Sequence, residues 1–348
     1  MGTTVEKLNK VLKTKEAIRI SINNKGGTLT ESDTFSSYST AIDNIQTGSG
    51  ENPLQYIIDN QEGNGKPSCY YLFYYYKGTS LDSVLKSLDF SKVTSMSCMF
   101  SSCSSLTTIP LFDTSNVTDM NKMFYYCSKL TTIPLFDTSN VTDMQYTFYN
   151  CSKLTSIPQL DTSKVTYMDY MFSSCSSLTT IPQLDTSNVT TINSMFENCS
   201  NLTSIPQLNT SNVTNMQYTF HNCSKLTSIP QLDTSKVTYM DYMFGDCTSL
   251  EKIDITKLAS GTSQTNNFAY SCKTLKTLII RTMDTIPTLN SNAFTNCYHF
   301  YGTTNATYNP EGLKDGAIYV PDDKVEALKV ATNWSVFADI IKPLSTLV

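Results

Sequence analysis

Along the middle of the chain, apolar residues return in the same order every 24 positions. From Asp113 the unit reads DTSNVTDMNKMFYYCSKLTTIPLF, and it restarts at Asp137, Asp161, Asp185, Asn209 and Asp233, with an earlier copy from Asp89. Phe100, Phe124, Phe148, Phe172, Phe196, Phe220 and Phe244 share one register. Cys103, Cys127, Cys151, Cys175, Cys199, Cys223 and Cys247 share another. A fixed short period marks a repeat architecture, in which no unit buries its apolar face alone and neighbours must stack.

Within one unit two patterns alternate. Met120, Met123, Phe124 and Cys127 stand at i, i+3, i+4 and i+7, which predicts a short amphipathic helix. Leu130, Ile133 and Leu135 then give L-x-x-I-x-L, which predicts a strand. Pro134 lacks an N–H and should end that strand. Asp137, Thr138, Ser139 and Asn140 read as turn and cap residues, and Val141 and Met144 point inward again. The Thr or Ser pair at Thr131 and Thr132 recurs in each unit and predicts a structural ladder.

The ends depart from the period. Thr3 with Glu6 makes a capping box, followed by an apolar face at Val5, Leu8 and Leu12. Phe35, Tyr38, Ile42 and Ile45 predict a second helix, so residues 1–46 form a helical attachment or oligomerisation module. Residues 47–88 are a linker and a degenerate capping coil, with Phe73 in the Phe register and Tyr76 in place of Cys. The regular repeats span 89–253, and irregular ones continue over 254–311, echoed by Phe268, Cys272, Leu275, Leu278, Phe294 and Cys297. A strand–helix cap closes the chain over 312–348, with Val325, Leu328, Trp334, Phe337, Ile340 and Ile341 as its apolar side.

The motif DTSNVTDM–MF–C–L–I resembles the BspA-like class of leucine-rich repeats, closely over Asp89 to Ile253 and loosely over Ile255 to Cys297. That resemblance implies an α/β fold, a right-handed leucine-rich-repeat-type solenoid, and a binding or adhesion role without chemistry. The opening segments KEAIRISINNKGG and DTFSSYSTAIDNI resemble modules of tail- or fibre-type proteins from phages of gut bacteria.

Composition narrows the function. The formal net charge is −5 and no Lys/Arg block stands out, which argues against a nucleic-acid partner. No apolar run approaches the ~18–20 residues of a membrane span, and residues 1–10 do not read as a signal peptide. The recurring cysteines, one per unit at an inward position, predict a column of free thiols rather than a disulfide framework. No CxxC pair suggests a metal, and no cofactor motif is present. His221 and His299 sit in no nucleophile or metal motif, and the repeat Asp residues are explained as caps. Asn116, Asn140, Asn188 and Asn212 open N-V-T sequons, read here as turn residues.

The positions that change between units are the candidate ligand contacts. They are Lys122, Tyr125, Tyr146, Tyr149, Tyr167, Tyr170, Tyr218, His221, Tyr239 and Tyr242. Tyr offers contact area at low entropic cost, so such a face suits a host cell-surface glycan or protein. The competing expectation is that exposed positions vary because nothing constrains them, or that the same tyrosines pack between coils. Residues 145–172 and 217–244 differ only at Tyr149 against His221, which marks an internal duplication. The reading is a non-enzymatic virion protein, tail- or fibre-associated and assembled in the host cytoplasm, joined to other virion proteins through residues 1–46. A BspA-like cell-surface adhesin and a structural spacer are the alternatives, and a homo-oligomer is compatible with all three.

Overall fold

A computed structural model of the chain describes Ile58, residues 62–63, 66–259 and 265–347. The helical module expected over 1–46 and most of the linker lie outside the described residues. The chain divides into two compact units, Met1–Lys164 and Val165–Val348. Each contains stacked coils of an α/β repeat solenoid.

The short helix expected in every regular coil is absent. Among the described residues, α-helix beyond Ile58 is confined to α1 (Asp82–Lys86), α2 (Tyr298–Tyr301) and α3 (Val325–Val330). The Met-x-x-Met-Phe stretch is instead a run of reverse turns. In the first unit the N–H groups of Met123, Tyr125 and Cys127 donate to the carbonyls of Met120, Lys122 and Phe124, at 3.0–3.1 Å. The intervening N–H groups of Met120, Lys122, Phe124 and Tyr126 donate to Asp143, Gln145, Thr147 and Tyr149 of the next coil, at 2.8–3.0 Å. A helix directs its N–H groups back along its own turns, and these rungs between coils would be lost. The alternation places Lys122 (φ 57°) and Tyr126 (φ 60°) in the left-handed region, as the third residue of a type II turn requires. In the second unit the same two positions are Tyr170 with Ser174, Ser194 with Asn198, Tyr218 with Asn222, and Tyr242 with Asp246, all at positive φ.

Behind the turns the core is layered by column. Phe73, Phe100, Phe124 and Phe148 stack face to face in the first unit at 5.6, 5.4 and 5.7 Å. Phe172, Phe196, Phe220 and Phe244 do so in the second at 5.8, 5.7 and 5.5 Å. Phe268 and Phe294, in the irregular coils, turn edge-on. All eleven cysteines are free and buried. The Cys127 thiol donates to the carbonyl of Phe100 one coil back at 3.1 Å, and Cys223 reaches Phe196 likewise at 3.1 Å. Such a carbonyl already accepts its own coil's Cys N–H, so the thiol is a second donor to a buried oxygen. Burial pushes the Cys199 and Cys247 thiols up to about 12, where they stay protonated.

The expected L-x-x-I-x-L register fails at its third position. Leu130 and Ile133 are buried, but Leu135 is 62% exposed and Phe136 packs inward in its place. The Phe136 N–H bends back to the Pro134 carbonyl at 3.0 Å, so the segment does not run on as a strand. Extended pairing matures only where the proline column ends. Pro110, Pro134, Pro158, Pro182, Pro206 and Pro230 are followed in register by Asp254, and there β3 (Lys252–Ile255) forms. Proline lacks the donor and fixes φ, which keeps the earlier coils out of a regular ladder. With the antiparallel pair β1 (Glu62–Gly63) and β2 (Lys66–Pro67) preceding it, β3 pairs in parallel with β4 (Thr277–Ile280), then β5 (Ala317–Val320) and β6 (Ile341–Pro343). Asp254, 5% exposed, is held by Arg281 through two bonds of 2.8 Å.

The C-terminal segment runs from β5 through a tight turn at Asp322–Lys324 into α3. Trp334, Phe337, Ile340 and Ile341 are buried, and the Trp334 indole donates to the Pro287 carbonyl at 2.9 Å.

Candidate functional site: the turn face

The repeat carboxylates are occupied structurally. Asp137 Oδ1 accepts the Ser139 N–H at 3.0 Å and its hydroxyl at 2.7 Å, which holds this carboxyl below its ordinary range. Asp169 is raised by burial, yet Thr191 and Asn193 donate to the same carboxylate oxygen at 2.6 and 2.9 Å. The sequon amides are used as well. Asn116 and Asn140 donate to the Ser91 and Ser115 carbonyls of the preceding coil at 2.8 Å. The Thr131 hydroxyl reaches the Thr107 carbonyl at 3.3 Å, so that ladder tethers coils. His299 is buried with Nδ1 2.6 Å from Asp315 Oδ1. Among the described residues no cluster of His, Cys, Asp and Glu could hold a metal ion.

Apart from Tyr167 and Tyr239, the candidate contacts lie on the reverse turns rather than on a helix. In the first unit Lys122, Tyr125, Tyr146 and Tyr149 come together. Tyr125 and Tyr149 stack at 5.0 Å, and Tyr146 packs 5.8 Å from Tyr149. The Lys122 ammonium stands 5.0 Å from the Tyr146 ring centre and 6.0 Å from that of Tyr125, within cation–π range. Burial, then the neighbouring Tyr126, pushes the Tyr125 hydroxyl up to about 12, so it remains a donor at neutral pH.

In the second unit Tyr218 and Tyr242 stack at 4.9 Å, 7° from parallel. His221 meets both rings edge-on at 5.5 and 5.6 Å. Tyr170 stands in the same column as Tyr218, with buried Ser194 on the coil between them. Tyr167 and Tyr239 belong to a different corner, where Tyr167 bridges Thr191 and Tyr239 bridges Asn215 in parallel, and their side chains are exposed.

These contacts decide what the face presents. Stacking covers the facing ring surfaces of Tyr125 with Tyr149 and of Tyr218 with Tyr242. The tyrosines of these two pairs therefore do pack between coils. Sequence reasoning missed several members. Tyr126, at positive φ and exposed, joins Tyr125 at 4.6 Å. Tyr70, Tyr71, Tyr74 and Tyr75 make a second aromatic group in the first coil, with the Lys77 ammonium 3.5 Å from the Tyr75 ring centre. The stacking of Phe73 on Phe100 agrees with the Phe register read from the sequence, and that register puts Tyr74 and Tyr75 in the columns of Tyr125 and Tyr126.

A family model described as Mycoplasma protein of unknown function, DUF285, matches residues 68–180, 129–227 and 176–285. No curated protein matches the chain. Among solved structures, a T. pallidum leucine-rich repeat protein is 23% identical over 44% of this chain and 69% of its own, with a TM-score of 0.34. A leucine-rich repeat protein of Bacteroides ovatus is 20% identical over 60% of this chain and 69% of its own, with a TM-score of 0.37. A leucine-rich cell surface protein of Faecalibacterium prausnitzii is 19% identical over 78% and 80%, with a TM-score of 0.29.

Proposed function

The chain belongs to the DUF285 family, and on that footing we propose that it is a non-enzymatic binding protein of a cell surface. The turn face of each unit contacts a glycan or protein partner through tyrosine hydroxyls, joined by Lys122 in the first unit and by His221 in the second. One observation carries this reading. The inward columns hold Phe, Cys and Leu from coil to coil, while the turn positions run through Lys, Tyr, Ser, Glu, His and Gly. Polar aromatic edges fit a hydrogen-bonding partner better than an apolar one.

The surface adhesin is preferred over the tail-fibre reading. The latter leaned on residues 1–46, on residues 1–10 not reading as a signal peptide and on the column of free thiols, and nothing in the comparisons favours a virion setting.

The test is binding to intact bacterial cells and to a glycan array. Replacement of Tyr146, Tyr170, Tyr218 and Tyr242 by Ser should lower binding at least tenfold with an unchanged fold by circular dichroism. Retained binding would sink the turn-face assignment, and proteolytic shaving of intact producer cells tests the surface setting.

A further inference from the structure

We propose that His221 is an acid-operated clip across three coils of the second unit, fastening the Tyr218/Tyr242 pair when protonated. The ligand-related half of this inference rests on the binding role proposed above; the clip itself does not.

The geometry is that of an imidazole between two carboxylates. Glu197 Oε1, on the preceding coil, lies 3.6 Å from Nδ1, and Asp246 Oδ2, on the following coil, lies 3.6 Å from Nε2. Backbone bonds tie these coils together, Asn198 N–H to the His221 carbonyl and Asn222 N–H to the Gly245 carbonyl, each at 2.8 Å. His221 Nδ1 is buried and makes no hydrogen bond. A buried polar atom without a partner is uncommon and calls for a reason.

Protonation supplies one. Neutral imidazole carries a single N–H and can serve one flanking carboxylate, leaving a lone pair turned to the other. Imidazolium has a donor on each nitrogen, so one proton creates a carboxylate–imidazolium–carboxylate bridge spanning Glu197, His221 and Asp246. The remaining groups around the ring are Tyr218 on its own coil and Tyr242 and Gly245 on the next. Asp241, beside Tyr218, is already engaged by Gln217 and the Asn266 N–H at 2.7 and 2.9 Å.

Two features say the site is built for a histidine. A Cβ added to Gly245 would stand 3.0 Å from His221 Cδ2, so the smallest residue sits where the imidazole needs room. The duplicated segment carries Tyr149 at the equivalent position as its single difference, which gives a natural counterpart without an imidazole. The sign follows directly. Only the imidazolium form donates to both carboxylates, so the bridge strengthens on acidification.

The experiment compares the full chain with His221→Gln, and with Glu197→Gln combined with Asp246→Asn, in thermal melts at pH 8.0 and 5.5. On acidification the wild-type midpoint should gain about 2–4 °C over His221→Gln, and the carboxylate variant should lose that gain. Parallel shifts in all three proteins would overturn the clip. Wild-type cell binding should also strengthen at pH 5.5, and pH-independent binding would remove the link to the ligand face. A pH-dependent melt with no cell binding at either pH would support the clip and count against the binding role.

Discussion

Replacing Phe220 by Ala removes the centre of an aromatic column. Phe220 has no exposed surface, and its ring lies 5.7 Å from Phe196 and 5.5 Å from Phe244, near parallel to both. Truncation of a buried Phe costs ~3–5 kcal/mol through lost transfer energy and the cavity left behind. Each stacked partner adds ~0.5–1.5 kcal/mol beyond area burial, so loss of two places Phe220→Ala in the upper part of that range. Coils above and below are tied by backbone rungs such as Phe220 N–H to Met243 O at 2.9 Å, which limits collapse into the cavity. Phe73, which ends its column and stacks on Phe100 at 5.6 Å, should cost less when truncated. Urea unfolding at fixed temperature reads the difference. Stability in a repeat array is a sum of local terms, so native-state hydrogen exchange should place the loss in the coils around 196–244. A loss below ~1 kcal/mol would refute the stacked column as the core.

Other expectations follow from single contacts. Arg281→Ala leaves the buried Asp254 carboxylate without its bidentate partner and should cost ~2–4 kcal/mol, measured by the same unfolding. Thiols that ionise near ~8.5 in the unfolded chain stay protonated to about 12 at Cys199 and Cys247 in the fold. Their contribution is therefore complete below pH ~8.5 and lost as pH rises toward 12, so melts in reductant should fall steadily above pH 9 and less so in Cys199→Ala. At pH 8 the folded chain should resist alkylation at all eleven cysteines, scored by mass spectrometry, and react at all of them in urea.

What the sequence discloses depends on which side of the coil a residue serves. The Phe and Cys columns were legible because inward positions repeat every 24 residues and tolerate little change. The helix was not excluded by the same residues, since i, i+3, i+4, i+7 also suits successive reverse turns. A usable signal was the column after Tyr126, which reads Asn150, Ser174, Asn198, Asn222 and Asp246, rich in residues that accept the left-handed region. Leu135 was misplaced because its own coil carries Leu–Phe. Its counterparts Gln159, Gln183, Gln207 and Gln231, each followed by Leu, already mark the position as outward. The carboxylates around His221 were half visible. Glu197 shares its column, but Asp246 reaches in from one residue beyond Gly245, an offset no periodicity reports.

The central claim is that ligand contact lies on the turn face. Hydrogen–deuterium exchange of the chain on and off the cells it binds would locate that contact directly. Protection is expected in the turn peptides around 122–126, 146–150 and 218–222, with little change along the Thr positions at 131, 155, 203 and 227. Protection concentrated on those Thr positions, with the turns unaltered, would contradict it.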